Sequence, residues 1–270
     1  MPALVRPPAV AGRFYPGDPD ELLADVRRYT LPVGPRLAAR GCLVPHAGYM
    51  YSGHVAGAVF AAVELPKKFL ILCPNHTGIG EPMALYTEGR WRTPLGEVEV
   101  DAELAQALQR ECEWLIEDRE AHRNEHALEV ELPFLQTQVK EFSFVPIALG
   151  VSQYEPLAAL GAAMARVLRE WEEPVLIVAS SDMNHYEPDS ITREKDSKAI
   201  ERMLALDPAG LYRVVRSEPV SMCGFGPAVA MLTASLALGA KDARLIKYAT
   251  SADMSGDRSY CVGYAGIAVL

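Results

Sequence analysis

The sequence predicts an α/β fold: a single three-layer domain over residues 1–270, with helices on both faces of a mixed β-sheet. Strand-like and helix-like segments alternate along the chain, which is typical of α/β domains. Most of the strand-like runs are continuously apolar, as expected for strands that are buried on both faces. The last run, SYCVGYAGIAV, alternates instead, so we expect it to be antiparallel or to lie at an edge.

Six apolar runs mark the predicted strands: 42–44, 69–73, 144–149, 175–179, 245–249 and 260–269. The first helix is expected to begin after Asp18, with Asp18 as its cap, Pro19 at its first position and Glu21 completing a capping box. Three further helices are predicted between the strands: 157–171, a helix that starts at 207–208, and a helix from about 227 to the Gly239 cap.

Composition and charge exclude several classes of protein. Half of the 270 residues are hydrophobic and the formal net charge is −9, with no run of Lys or Arg longer than two, so we expect neither a nucleic-acid partner nor a membrane partner. The segment MPALVRPPAVAGRFYPG lacks the apolar core of a signal peptide. Five cysteines without paired spacing argue against a disulfide framework. Together these features predict a cytoplasmic protein.

Polar side chains follow three of the predicted strands at the point where each strand ends. His46 follows the strand 42–44, His76 follows 69–73, and Asp182 and His185 follow 175–179. In open α/β sheets, ligands bind beyond the carboxyl ends of the strands. If these strands are parallel neighbours, the four side chains converge. A single histidine in a turn is usually structural, but three in equivalent positions indicate a site.

Cys223 is the candidate anionic ligand. It precedes Gly224-Phe225-Gly226-Pro227 and a helix start, and a helix N-terminus favours the thiolate; a tight packing turn is the structural alternative. Two imidazoles and one anion form a three-point metal site with open positions, as in the non-haem Fe(II) oxygenases. A thiolate favours zinc, copper or iron over magnesium or calcium, and it makes the site oxidisable.

The segment HRNEHALEVELPF contains His122, Glu125 and His126 in the order H-x-x-E-H, the inverted zinc-protease signature. That signature requires a helix and a further ligand downstream, whereas helical phasing is weak here and Pro133 interrupts it. The sequence therefore disfavours a zinc protease. Glu125 and His126 remain candidates for acid/base or supporting roles at the site.

Five segments in chain order, PHAGYMYSG, PNHTG, EHALEVELPF, SSDMNH and CGFGPA, resemble the Memo family, whose bacterial and archaeal members are often labelled AmmeMemoRadiSam system protein B. AGRFYPGDPDEL and RTPLGEVEVD fit the same family, so the resemblance covers essentially the whole chain. The family is similar in fold to LigB-type class III extradiol dioxygenases. The resemblance therefore implies a LigB-like fold and a metal- and redox-linked role.

The resemblance also implies roles for individual residues. His46, His76 and Cys223 correspond to the family's metal-binding trio, with iron(II) or copper as the ion. Asp182 lines the same pocket, His185 falls where the dioxygenases carry an acid/base histidine, and His126 falls where a further pocket histidine is expected. The dioxygenases use a carboxylate where this chain has Cys223, which argues against cleavage of a catechol ring. The resemblance further implies partners of the radical-SAM and AMMECR types.

Three functional hypotheses follow. The first is a metalloprotein that binds Fe(II) or copper and performs redox or oxygen-linked chemistry on a small-molecule or peptide substrate. In it, Asp182 and His126 would assist His185 as general acid/base. The second is a non-catalytic module that binds a phosphopeptide or a partner protein in the same pocket, with Arg90, Arg92 or Arg123 as the phosphate partner. The third is a hydrolase in which zinc activates water.

Overall fold

The computed structural model describes residues 4–32 and 34–270. The first three residues of the segment examined for a signal peptide lie outside this range. The strands of the described residues are β1 Val5–Arg6, β2 Gly41–Val44, β3 Lys68–Pro74, β4 Met83–Leu85, β5 Arg90–Thr93, β6 Gly96–Val100, β7 Ile116–Glu117, β8 Ser143–Leu149, β9 Val175–Ser180, β10 His185–Glu187, β11 Ala243–Thr250 and β12 Cys261–Val269.

The helices of the described residues are α1 Pro19–Tyr29, α2 Tyr49–Ala62, α3 Ala102–Glu111, α4 Glu120–Arg123, α5 Leu132–Gln138, α6 Tyr154–Glu170, α7 Asp189–Leu204, α8 Pro208–Ser217, α9 Phe225–Ala237 and α10 Ala252–Ser255. A short 3-10 helix, Glu129–Glu131, leads into α5. Among these residues, no helix combines the length and the apolar composition needed to cross a bilayer.

The strands form one mixed sheet in the order β1-β5-β6-β8-β3-β9-β2-β12-β10, with β11 paired to β12 and with β4 between β7 and β8. The four central strands, β8, β3, β9 and β2, are parallel. β12 runs antiparallel to β2 and β11, as its alternating sequence predicts, but it lies inside the sheet because both sides are paired. The carboxyl ends of β2, β3 and β9 consequently lie side by side.

Alternating side chains of the parallel strands supply two hydrophobic cores, one on each face of the sheet. Leu70 and Leu72 of β3 pack with α3, α6, α8 and α9, whereas Phe69 and Ile71 pack on the opposite face with α1, α2 and α5. Both faces of the strand are buried, which explains why its sequence is continuously apolar. The prediction of a single α/β domain with helices on both faces of a mixed sheet is confirmed.

The predicted first helix also forms. The Asp18 carboxylate accepts hydrogen bonds from the backbone N–H groups of Asp20 and Glu21, which satisfies two of the donors that a helix N-terminus leaves free. Leu22 and Val26 are buried one turn apart, and α1 packs on α2 through them and Tyr29. The side chain of Tyr29 lies so close to Gly57 that a Cβ there would be 2.5 Å from it. This close approach requires glycine in α2.

The buried carboxyl group of Asp196 joins α7 to β11 and to the loop before β10. Asp196 accepts a hydrogen bond from the Tyr248 hydroxyl at 2.7 Å and another from the Asn184 backbone N–H at 2.8 Å. No cation pairs with it among the described residues. Burial raises the pKa of Asp196 to about 7, although these hydrogen bonds act in the opposite direction. The folded state therefore favours the protonated acid at a pH where the unfolded chain carries the anion.

Replacing Asp196 with Asn tests this linkage. Between pH 4 and pH 7 the folded chain binds more protons at this site than the unfolded chain, so the free energy of unfolding falls as the pH rises through that window. We expect Asp196→Asn to remove on the order of 2 to 4 kcal/mol of that fall, because the amide does not ionise: its oxygen can still accept from the Asn184 N–H and its NH2 group can donate to the Tyr248 hydroxyl oxygen. Denaturant unfolding of both proteins at pH 5 and pH 8 measures it. Equal pH dependence in the two proteins would contradict the account.

Candidate metal centre

The predicted site residues lie around one cavity of about 510 Å³ at the carboxyl edge of the parallel strands. His46 follows β2 through Pro45, His76 follows β3, and Asp182 follows β9. The cavity lining includes all six residues predicted from the sequence: His46, His76, His126, Asp182, His185 and Cys223. The structure brings these residues together, and the role of each stays a prediction.

The side chains of His46, His76 and Cys223 converge closely enough to hold one ion. One ligand atom from each lies within 4.8 Å of the others, and the Cys223 Sγ atom is 3.2 Å from the His46 Nε2 atom. The rings of His46 and His76 meet edge to face, with centroids 5.2 Å apart. Two imidazole nitrogens and one sulfur in this arrangement form a donor set suited to zinc, copper or iron.

Ser180 fixes the tautomer of His46. The Nδ1 atom of His46 lies 2.8 Å from the Ser180 hydroxyl, whose single hydrogen has acceptors in the Ala127 carbonyl at 2.7 Å and the Glu131 carboxyl at 2.8 Å. Nδ1 therefore donates to Ser180, and the Nε2 lone pair faces Cys223. Burial lowers the pKa of His46 well below its ordinary value, and the neighbouring histidines lower it further. His46 is thus a neutral imidazole, the form that binds metal.

Glu125 holds His76. Its carboxylate accepts hydrogen bonds from the His76 Nδ1–H at 2.9 Å, the His76 backbone N–H at 2.6 Å and the Ala127 N–H at 2.9 Å. Burial favours the neutral imidazole, but the hydrogen bond and charge of Glu125 outweigh it, so the pKa of His76 is raised. With Nδ1 engaged, Nε2 is left as the ligand atom. A carboxylate–histidine pair of this kind orients many protein metal ligands.

Cys223 is positioned by the turn that begins α9. The Asp182 backbone N–H donates to its sulfur at 3.3 Å, and the Gly224 N–H donates to the Ser181 hydroxyl at 2.9 Å. A Cβ at residue 224 would lie 2.5 Å from the Ser181 Cβ atom, so only glycine allows this approach.

The expectation that the helix N-terminus gives a thiolate at Cys223 is wrong. Burial, and then the charge of Asp182, raise the pKa of the Cys223 thiol. A bound cation would reverse that balance.

Asp182 and His185 face the cavity from the loop after β9. One oxygen of the Asp182 carboxylate accepts the backbone N–H groups of His46 at 2.8 Å and Ala47 at 3.3 Å, and burial raises the pKa of Asp182 to about 6. The Nδ1 atom of His185 lies 2.8 Å from the Ser221 carbonyl, which can only accept. His185 therefore carries its hydrogen on Nδ1 and presents Nε2 as a base.

His126 lies on the wall beside His76. The His76 and His126 rings stack with centroids 4.7 Å apart and an interplanar angle of 19°. The ring of Phe14 also packs on His126, with centroids 4.7 Å apart. Burial lowers the pKa of His126. His76, Glu125 and His126 also come close enough to hold an ion. However, the Glu125 oxygens are already engaged by His76 and Ala127, so this carboxylate acts as a support.

Two sequence motifs do not contribute to the cavity as the patterns suggested. α4 ends at Arg123, and His122 is buried against Tyr86 and Trp91, where its Nε2 atom bonds the Ala84 carbonyl. The H-x-x-E-H segment is therefore not one metal-binding helix. Arg90, Arg92 and Arg123, the proposed phosphate partners, do not line the cavity and pair with nearby glutamates instead. The cavity therefore lacks the arginines that the phosphopeptide hypothesis required to bind the phosphate.

Three supporting residues were missed at the sequence level as metal-site partners: Ser180, Ser221 and Glu131. Ser180 ends β9, and Glu131 lies in the short 3-10 helix five residues after His126. Both are fully buried. The sequence signal that could have indicated Glu131 is the presence of two glutamates within the otherwise apolar run ALEVELPF. One of them, Glu129, anchors Arg6 and Tyr15 on the other side of this segment.

The fold and this donor set are those of an α/β protein with a candidate metal centre of two histidines and one cysteine. A family model described as "Memo-like protein" matches residues 6–268. MEMO1 family proteins of Methanopyrus kandleri and Methanothermobacter thermautotrophicus are 45% and 41% identical to this chain. Each comparison covers 97% of this chain, with 98% and 99% of the respective relative. The chain belongs to the Memo family.

A solved structure supports the fold independently. The crystal structure of an uncharacterized protein from Escherichia coli K12 superposes with a TM-score of 0.56, covering 83% of this chain and 98% of that chain. The two sequences are only 12% identical, so the similarity concerns the fold alone.

The two carboxylates behind the histidines provide a test of this arrangement. We expect Glu125→Gln to weaken metal binding by about 10- to 100-fold, because the amide cannot accept all three N–H groups that Glu125 holds. Competition titrations with a chromogenic chelator, using Zn²⁺ and Co²⁺, measure the affinity.

Glu131→Gln is the matched control. Glu131 is fully buried and pairs with no cation among the described residues, and burial raises its pKa well above the ordinary range. An uncharged amide therefore reproduces the acid and still accepts from Ser180. We expect it to change metal affinity by less than Glu125→Gln does. Equal losses in both variants, or no loss in Glu125→Gln, would contradict the supporting role of Glu125.

Proposed function

We propose that this chain is a cytoplasmic metal-binding protein of the Memo family whose ion is held by His46, His76 and Cys223, with iron(II) as the first candidate and copper as the second. In this proposal the chain performs redox or oxygen-linked chemistry on a small-molecule or peptide substrate in the adjoining cavity. The family resemblance also supports proteins of the radical-SAM and AMMECR types as partners.

The observation that carries the proposal is the convergence of three donor atoms whose side chains are each held from behind. Ser180 engages the far nitrogen of His46, Glu125 engages that of His76, and the Asp182 N–H contacts the sulfur of Cys223. A packing cluster would not require the lone pairs to point at one another. Two imidazoles whose Nδ1 atoms are engaged and whose Nε2 atoms are left for a ligand, with a thiol that a cation would ionise, fit a first-row metal ion.

A redox-active ion bound here would supply single electrons to oxygen or to the substrate. The remaining chemistry belongs to the chain. His185 presents its Nε2 atom to the cavity and can accept a proton from the substrate, because Ser221 retains the other nitrogen as a donor. Asp182 lies close enough for its charge to interact with His185, and it would stabilise the imidazolium once the proton is taken. His126, whose pKa is lowered by burial, provides a further imidazole beside His76.

Metal content tests the proposal. Protein purified anaerobically without tags or chelators is expected to contain near-stoichiometric iron or copper by mass spectrometry, and His46→Ala, His76→Ala and Cys223→Ala are expected to lose it, because each removes one of three ligands. His185→Ala is the matched control: His185 lines the same cavity but lies outside the ligand trio, so its metal content should stay at the wild-type level.

Two outcomes would redirect the account. Zinc in place of iron or copper, lost in the same three variants, would favour a hydrolase in which the ion activates water. Absence of bound metal after reconstitution with Fe²⁺, Cu²⁺ and Zn²⁺ would contradict the proposal and favour a non-catalytic binding module.

A further inference from the structure

Tyr264 of β12 lines the cavity but is not part of the candidate metal centre. In the sheet, β2 and β9 lie between β12 and β3, the strand that leads to His76. Its side chain is buried, with 2% exposure, in a small cluster with Val55 of α2 and Ala249 of β11. Ala249 is its direct cross-strand partner, which fixes the position of the ring. The phenol group is therefore a rigid part of the wall.

The hydroxyl of Tyr264 has no hydrogen-bond partner among residues 4–32 and 34–270, although the residue is almost fully buried. Its oxygen keeps accessible surface, unlike the fully enclosed unpaired atoms among the described residues, and the residue lines the cavity, so the hydroxyl opens into the cavity. The carboxylate of Asp182, the hydroxyls of Tyr51 and Tyr186 and the thiol of Cys261 are its ionisable neighbours. None of them is within hydrogen-bond distance, so the donor is available to a molecule in the cavity.

Asp182 offers the complementary group. Its Oδ1 atom accepts from the backbone of His46 and Ala47, whereas Oδ2 accepts no hydrogen bond from the described residues. The cavity thus has one donor, the Tyr264 hydroxyl, and one acceptor, the Asp182 Oδ2 atom, that no described residue engages. Both residues line it. Together they match a group that accepts one hydrogen bond and donates another.

The remaining wall restricts the rest of the occupant. Phe14, Tyr186 and Val262 add apolar surface to the lining, and the described lining residues include neither Lys nor Arg. A fully ionised carboxylate or phosphate would meet the like charge of Asp182 and has no hydrogen to donate to its Oδ2 atom. The wall therefore suits an uncharged group attached to an apolar body.

We propose that Tyr264 is a substrate-binding residue of this cavity and that, with Asp182, it selects a neutral carboxamide or alcohol group attached to an apolar body. This proposal rests on the proposed function only in placing the substrate beside the metal ligands. The hydroxyl of Tyr264 donates to the substrate oxygen, and the Asp182 carboxylate accepts the substrate N–H or O–H. An amide of a peptide falls within this class.

The test compares two small probes, benzamide and acetophenone, on the metal-free full-length chain. Both can accept from Tyr264, but only benzamide can also donate to Asp182. Dissociation constants come from NMR titrations that follow backbone amide shifts around the cavity. Wild type is expected to bind benzamide more tightly than acetophenone. Tyr264→Phe is expected to weaken both probes by about 5- to 10-fold, because a lost hydrogen bond costs roughly that factor.

Tyr260→Phe is the control, since Tyr260 stacks on Tyr186 at the surface, 62% exposed, and is not part of the lining. It should leave both constants unchanged. Tyr264→Phe loses no internal hydrogen bond, so its thermal midpoint should match wild type. Probe affinities within twofold of wild type in Tyr264→Phe, or no saturable binding of benzamide to wild type, would overturn the proposal.

Metal content is measured separately on wild type and Tyr264→Phe. A wild type that binds no metal but binds benzamide in a Tyr264-dependent manner would refute the proposed function and support this assignment. A metal-loaded wild type without Tyr264-dependent binding would support the proposed function and refute this assignment.

Discussion

The parallel pairing of β2, β9 and β3 is the constraint on which the rest of the site depends. Val44 lies in register with Ser180, and Leu72 with Ala179, so the three strands end at the same level. His46, Asp182 and His76 are then delivered to one edge from three distant parts of the chain. The two hydrophobic cores hold this register, because a slip of one residue would exchange the faces on which Leu70 and Ile71 pack.

A second principle governs the three histidines at that edge: the Nδ1 atom of each is engaged by a hydrogen bond to the protein. Ser180 holds His46, Glu125 holds His76, and Ser221 holds His185. The free nitrogen of each ring consequently faces the cavity without rotating. This arrangement prepares the donor atoms before an ion or a substrate arrives, which reduces the ordering that binding requires.

The sequence was sufficient to predict the architecture and the residues that converge, because hydrophobic runs and their polar ends report strand position directly. Among the supports it indicated Glu125 as a candidate but not Ser180, Ser221 or Glu131. Glu125 and Glu131 differ by six positions in one segment, yet one accepts three N–H groups and the other is an uncharged acid behind Ser180. The thiolate expectation for Cys223 failed for a similar reason: the helix N-terminus is a local feature, whereas burial and the Asp182 charge come from tertiary contacts.

The central claim is that one ion is bound by two histidines and the sulfur of Cys223. X-ray absorption spectroscopy at the metal edge, on protein loaded anaerobically with a single equivalent of Fe²⁺, tests it most directly, beside a Cys223→Ser variant. The account predicts one sulfur scatterer and imidazole scattering in the wild-type protein, and loss of the sulfur shell in Cys223→Ser. A shell of nitrogen and oxygen alone in the wild-type protein would contradict it.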